Sequence, residues 1–174
     1  MPALLRLLDR EGVERVFLPC VALQQLAETS ESTGVRPGRL RVIVSSGEQL
    51  RITDEIRRFC AALPGTVLEN QYGPTETHLL THHTMSGDPA RFPDLPPVGT
   101  PVPGIGIRLL DRDMRPVPPG AKGEVYVGGV CLAHGYRNRP DLTRERFLPD
   151  PSGGPGDRLY RTGDLAKELP DGNL

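Results

Sequence analysis

Three short strand-like runs, separated by two helical stretches, constrain this chain most. Val13 to Leu18, Leu40 to Ser45 (LRVIVS) and Thr66 to Asn70 read as strands. Between the second and third, Ile52, Ile56, Phe59, Cys60 and Leu63 keep i, i+4, i+7, i+8 spacing, with Asp54 and Glu55 in the first turn. That is an amphipathic helix with acids at its positive end. Pro19 opens a helical stretch through about Glu28, and Thr29 to Gly38 reads as a polar loop. A short helix around Leu4, Leu5, Leu7 and Leu8, ending at Gly12, precedes them all. Strand, helix, strand, helix, strand predicts a parallel sheet with crossover helices. The β-branched 40–45 run fits a strand covered on both faces.

The pattern changes after Pro97. Ile105–Leu110 and Gly123–Val130 read as strands with a turn-rich link and no long helix between them, which predicts antiparallel pairing. Pro140 to Phe147 reads as a short helix with proline in its first turn. Asp150 to Asp157 reads as a loop, Arg158 to Thr162 as a last strand, and Asp171-Gly172 as a hairpin turn. The fold class expected is α/β, with a parallel portion over 1–97 and a β-rich, barrel-like portion over 98–174. A hairpin turn with no return strand reads as an internal segment of something longer. Strands missing from the amino-terminal side would leave sheet edges that favour self-association.

Composition excludes several partners. Net charge is −1 with acids and bases mixed, which gives no field for nucleic acid or an anionic membrane. No apolar run approaches the roughly 18 residues that a spanning helix needs. MPALLRLLDREG lacks a secretory pattern, so a cytoplasmic location is the expectation. Cys20, Cys60 and Cys131 stand far apart without CxxC spacing, and they read as buried free thiols. His78, His82 and His83 form HxxxHH, but the surrounding THLLTHHTM reads as a strand, with His78 and His82 on one face and no carboxylate beside them. They read as ordinary polar positions.

Three segments carry chemistry. In Asn70-Gln71-Tyr72-Gly73-Pro74-Thr75-Glu76-Thr77 a strand runs into a forced turn at the carboxyl end of the sheet, where open α/β sheets take ligands. Tyr72, Thr75 and Glu76 offer a ring for a base, a hydroxyl for a phosphate and a carboxylate for Mg²⁺. Alone, the same three also read as a core ring, a turn residue and a solvated acid. In Tyr160-Arg161-Thr162-Gly163-Asp164-Leu165, Asp164 follows a glycine at a strand end and suits two ribose hydroxyls; Asp beside Gly is also ordinary turn chemistry. The glycines of Gly123–Gly129 and of Gly135-Tyr136-Arg137-Asn138-Arg139-Pro140 read as scaffold.

In that order and spacing, NQYGPTE, GEVYVGGVCLAHGYRNRPDLTRERF and YRTGDLA resemble the successive core motifs of adenylation domains in nonribosomal peptide synthetases. LRVIVSSGEQL and FLPCVALQQLAE resemble the segments before them. The resemblance implies the large N-terminal subdomain of an adenylate-forming ligase, truncated at both ends. It implies ATP and Mg²⁺, an amino acid substrate, and transfer to phosphopantetheine on a peptidyl carrier domain among neighbouring synthetase domains. Carried over by position, Tyr72 stacks on adenine beside Gly73, and Gly47, with Ser46 and Glu48, forms the turn next to it. Thr75 contacts phosphate, Glu76 holds Mg²⁺, and Asp164 binds the ribose. Phe17, Val44, Ser46, Gln71, Leu79 and Leu80 line the acyl pocket. His134 departs from the family's usual arginine before Gly-Tyr. The family's phosphate loop would lie before residue 1 and its catalytic lysine beyond residue 174, so the chain by itself is expected to catalyse little. GYRNRPDLT and NQYGPTET favour the peptide synthetases over acyl- or aryl-CoA synthetases, and a non-catalytic docking piece is the other alternative.

Overall fold

The structure is a computed structural model that describes residues 1–174. It divides into two compact units, Met1–Tyr72 with His82–Val98, and Gly73–Thr81 with Gly99–Leu174.

In the first unit, α1 (Pro2–Arg10), β1 (Arg15–Leu18), α2 (Cys20–Thr33), β2 (Val42–Ser46), α3 (Asp54–Ala61), β3 (Val67–Tyr72) and β4 (Thr81–Met85) follow in order. β1, β2 and β3 are parallel neighbours, and β4 lies beside β3 in the sheet order. Val16, Ile43 and Leu68 sit in register across the three strands and join one apolar cluster with Leu5, Leu23, Leu26, Ile56 and Phe59 from the helices. Val44, although fully buried, points to the opposite face, because side chains alternate along a strand.

The α3 stripe is buried as its spacing demands: Ile52, Ile56, Phe59, Cys60 and Leu63 are all in the core. Removing Ile56, which is fully buried, to the β-carbon would cost about 2–5 kcal/mol through lost burial and the cavity left behind. Helix proper begins at Asp54, because the Thr53 hydroxyl accepts the Ile56 N–H and caps it. α2 outruns its expected end. The polar 29–33 stretch is helical, and the Thr29 and Thr33 hydroxyls turn back to the carbonyls of Gln25 and Thr29, at 2.7 and 2.6 Å. Gly34, at φ 73°, then stops it.

The second unit holds β5 (Thr100–Pro101), β6 (Ile105–Leu110), β7 (Gly123–Gly129), α4 (Pro140–Arg146), β8 (Phe147–Pro149) and β9 (Arg158–Ala166). Its antiparallel sheet has the order β6-β7-β9-β8. Leu110, Tyr126 and Leu159 form its buried cluster. Asp150, its side chain only 7% exposed, accepts both Nη atoms of Arg108 at 2.5 and 2.7 Å, tying the 150–157 loop to β6. No helix is long and apolar enough to cross a membrane.

Candidate functional site

The turn after β3 is set by its glycine. A β-carbon added at Gly73 would lie 1.7 Å from the His78 carbonyl oxygen and 2.7 Å from its carbon, so only glycine lets the chain fold back there. The buried Thr77 closes the turn, its N–H donating to the Pro74 carbonyl at 3.1 Å and its hydroxyl to the same oxygen at 3.3 Å. Tyr72, half-buried, ends β3 one residue after Gln71 and so faces the other side of the sheet. Thr75 is exposed at the tip.

Glu76 is partnered. Its Oε1 accepts the Tyr136 hydroxyl at 2.5 Å, and the Tyr160 hydroxyl lies 3.4 Å from that of Tyr136. Burial pushes this carboxyl up. The Tyr136 phenol, the backbone, the Tyr160 phenol and the charge of Arg146 outweigh it and hold Glu76 below its ordinary value. Both tyrosines move the other way, chiefly through burial and then through their hydrogen-bonded neighbours, and stay protonated donors. Motif spacing missed this cluster. Tyr136 lies in a glycine-bearing stretch that reads as scaffold, and the YRTGDL motif points to Asp164 rather than to Tyr160.

Asp164 does not stand at a strand end as expected; β9 continues through it to Ala166. Tyr126 pairs with Arg161 and Glu124 with Leu165, so Val125 alone faces Thr162, Gly163 and Asp164. This bulge turns on Gly163 at φ 86°. The Thr162 hydroxyl supplies the ladder's missing bonds, donating to the Val125 carbonyl at 2.8 Å and accepting the Asp164 N–H at 3.0 Å. The result is an exposed carboxylate on a braced backbone.

Four of the six pocket candidates share one face of the parallel sheet. Phe17 pairs with Val44, Ser46 pairs with Gln71, and Val44 and Ser46 lie two residues apart on β2. Phe17 is 62% exposed while Val44 is fully buried. Glu69, which pairs with Val44, shares this face and accepts the Gln71 amide at 2.9 Å; sequence patterning gave no hint of it. Leu79 and Leu80 belong to the 73–81 segment of the second unit, where the carbonyl of buried Leu80 accepts the Val102 N–H. Gly47 has φ 93°, and the neighbouring Glu48 accepts the Val21 N–H at 2.9 Å, capping the start of α2. His82 and His83 lie on β4, but His78 precedes the strand at φ 58°, which corrects the expectation that His78 and His82 share a strand face. The three cysteines are free thiols, but only Cys60 is buried; Cys20 and Cys131 are part-exposed, which corrects the expectation of burial for those two.

No three His, Cys, Asp or Glu side chains gather as a closed metal cage. Mg²⁺ in nucleotide sites needs only one or two carboxylates, with phosphate and water completing its shell, and an ionised Glu76 suits that demand.

A parallel sheet followed by a Tyr-Gly-Pro-Thr-Glu turn, and an antiparallel sheet bearing an aspartate on a bulge, define an α/β protein with its polar chemistry on one strand-end turn and one bulged strand. The chain belongs to the AMP-binding enzyme family, whose model matches residues 1–137. It is 38% identical over 168 residues to gramicidin S synthase 2 of Brevibacillus brevis, covering 97% of this chain and 4% of that protein. Among solved structures, the AMPPNP-bound form of the nonribosomal peptide synthetase FmoA3 superposes with a TM-score of 0.86 at 32% identity, over 99% of this chain and 19% of that one. PA1221, a nonribosomal peptide synthetase protein containing adenylation and PCP domains, gives 0.84 at 31% identity, over 99% of this chain and 34% of that one. The chain thus spans a small part of the proteins it matches.

Proposed function

We propose that this chain supplies the nucleotide-facing middle of an adenylation domain in a nonribosomal peptide synthetase. The reaction joins an amino acid carboxylate oxygen to the α-phosphorus of ATP. The bond to the bridging oxygen of the β-phosphate breaks, and pyrophosphate leaves. A carrier-domain phosphopantetheine thiol then attacks the acyl carbon and AMP departs. Because carboxylate and triphosphate are both anionic, catalysis rests on positioning and charge neutralisation.

The residues divide that work. Tyr72 stacks on adenine beside Gly73 and the Gly47 turn, Asp164 accepts the ribose hydroxyls, and the Thr75 hydroxyl donates to a phosphate oxygen. Glu76 is the metal-binding carboxylate, and Mg²⁺, when bound, neutralises phosphate charge. Phe17, Val44, Ser46 and Gln71, with Leu79 and Leu80, meet the amino acid side chain and suit an apolar body bearing one polar function. The observation that carries this reading is the glycine-dependent turn that bears Glu76, a carboxyl held below its ordinary value although burial pushes it up.

Calorimetric titration of ATP into the chain, with and without Mg²⁺, tests it. Binding is expected to tighten with Mg²⁺ and to weaken about 5- to 150-fold in Tyr72→Ala, since a stacked base contributes ~1–3 kcal/mol. Asp164→Ala is expected to weaken it comparably. Binding indifferent to Mg²⁺ and to both substitutions would refute the assignment.

A further inference from the structure

We propose that Tyr136 and Tyr160 are positioning residues for the Glu76 carboxylate, fixing the oxygen geometry with which it meets a divalent cation. The proposal rests on the reading of Glu76 as the cation's carboxylate.

The three side chains come from three separate motifs, and Tyr136 and Glu76 stand 60 residues apart. Local turn geometry therefore does not explain their meeting. Each partner is held from behind. The Tyr136 ring packs edge-on against Phe147, with centroids 5.9 Å apart, and Phe147 packs against Tyr160 at 5.0 Å. Arg158 lies 5.2 Å over the Phe147 ring, and its two Nη atoms donate to the carbonyls of His134 and Ala133. The Tyr136 N–H donates to the Thr143 hydroxyl at 2.9 Å. A β-carbon at Gly135 would lie 2.4 Å from Thr143 Cγ2, so the segment is pressed against α4. Glu76's own carbonyl accepts the Ala133 N–H at 2.8 Å, fixing its backbone to the same segment.

The chemistry suits a cation ligand. A glutamate left to itself samples several rotamers, whereas Mg²⁺ demands near-octahedral oxygen geometry. A phenol donor orients the carboxylate without cancelling its charge, as a paired guanidinium would. Outer hydrogen bonds that aim a ligand are part of a metal site's design.

The test is a Mg²⁺ titration of the chain at fixed ATP, with ATP binding in EDTA measured alongside. Tyr136→Phe keeps the ring packing and removes only the hydroxyl. It should raise the half-saturating Mg²⁺ concentration about tenfold, the size expected for a hydrogen bond to a charged group. Metal-free ATP binding and the melting temperature should stay close to wild type. Tyr160→Phe should act in the same direction and more weakly. Adding Tyr136→Phe to Glu76→Gln should bring no further loss. Wild-type Mg²⁺ dependence in both phenylalanine variants, alongside its loss in Glu76→Gln, would overturn the positioning role and leave the function standing. Unchanged Mg²⁺ dependence in Glu76→Gln would instead remove the reading of Glu76, and the positioning role with it.

Discussion

Substituting Gly73 by alanine should damage the chain more than any single added methyl has a general right to. The new β-carbon would sit 1.7 Å from the His78 oxygen, 2.7 Å from its carbon and 3.0 Å from the Leu79 α-carbon. All three are backbone atoms, and all are well inside the ~3.5 Å at which heavy atoms attract. No rotamer change relieves the clash, so one limb of the turn must move by more than an ångström. Overpacking of this kind costs about 1–3 kcal/mol, and the upper end applies where the obstacle is main chain. Against it stands a gain of roughly 0.4–1 kcal/mol from stiffening the unfolded chain. The net loss of about 2 kcal/mol corresponds to a Tm lowered by roughly 4–8 °C for a protein of this size. Gly38 is the control. It has open space around the same methyl and no positive φ, so Gly38→Ala should melt at or slightly above wild type. Thermal unfolding followed by circular dichroism reads both. The Gly73 variant should also lose Mg²⁺-dependent ATP binding, because Thr75 and Glu76 ride on the displaced limb. A Gly73→Ala protein that melts with wild type and still binds nucleotide would refute the steric argument.

Other outcomes follow from the same contacts. Thr162→Val removes the hydroxyl that donates to Val125 and accepts the Asp164 N–H, and should weaken ATP binding several-fold by calorimetry while the fold is kept. The Arg108 guanidinium, by its hydrogen bonds, holds the Asp150 carboxyl below the usual carboxylate range despite burial. The stability from this pair is therefore complete above the ordinary aspartate value near ~4 and is lost as pH falls below it. Arg108→Ala should lower the Tm at pH 7 and flatten its decline below about pH 4. Burial pushes the Cys60 thiol up to about 11, so it should resist a thiol reagent at pH 8 until the chain is unfolded in guanidinium. Cys20 and Cys131, each part-exposed, should react first.

Legibility in the sequence followed the range of the interaction. The α3 stripe was readable because Ile52, Ile56, Phe59, Cys60 and Leu63 bury one face of a local repeat, and all five are in the core. The parallel order of β1, β2 and β3 was readable because crossover helices permit little else. The end of α2 was misread because serine and threonine usually mark loops, whereas here their hydroxyls bond back along the helix. The end of β9 was misread because Gly163 looks like a terminator, and only the register with β7 reveals a bulge. The Glu76–Tyr136 bond spans 60 residues, and no local pattern announces it.

The central claim is that one nucleotide engages Tyr72, Glu76 and Asp164 together. Site-resolved NMR of the chain, titrated with ATP in excess Mg²⁺, measures it directly. The account predicts that the Tyr72 ring, Glu76 carboxyl and Asp164 carboxyl resonances shift along one saturation curve with one Kd. Three unrelated curves, or movement of only one of these side chains, would contradict it.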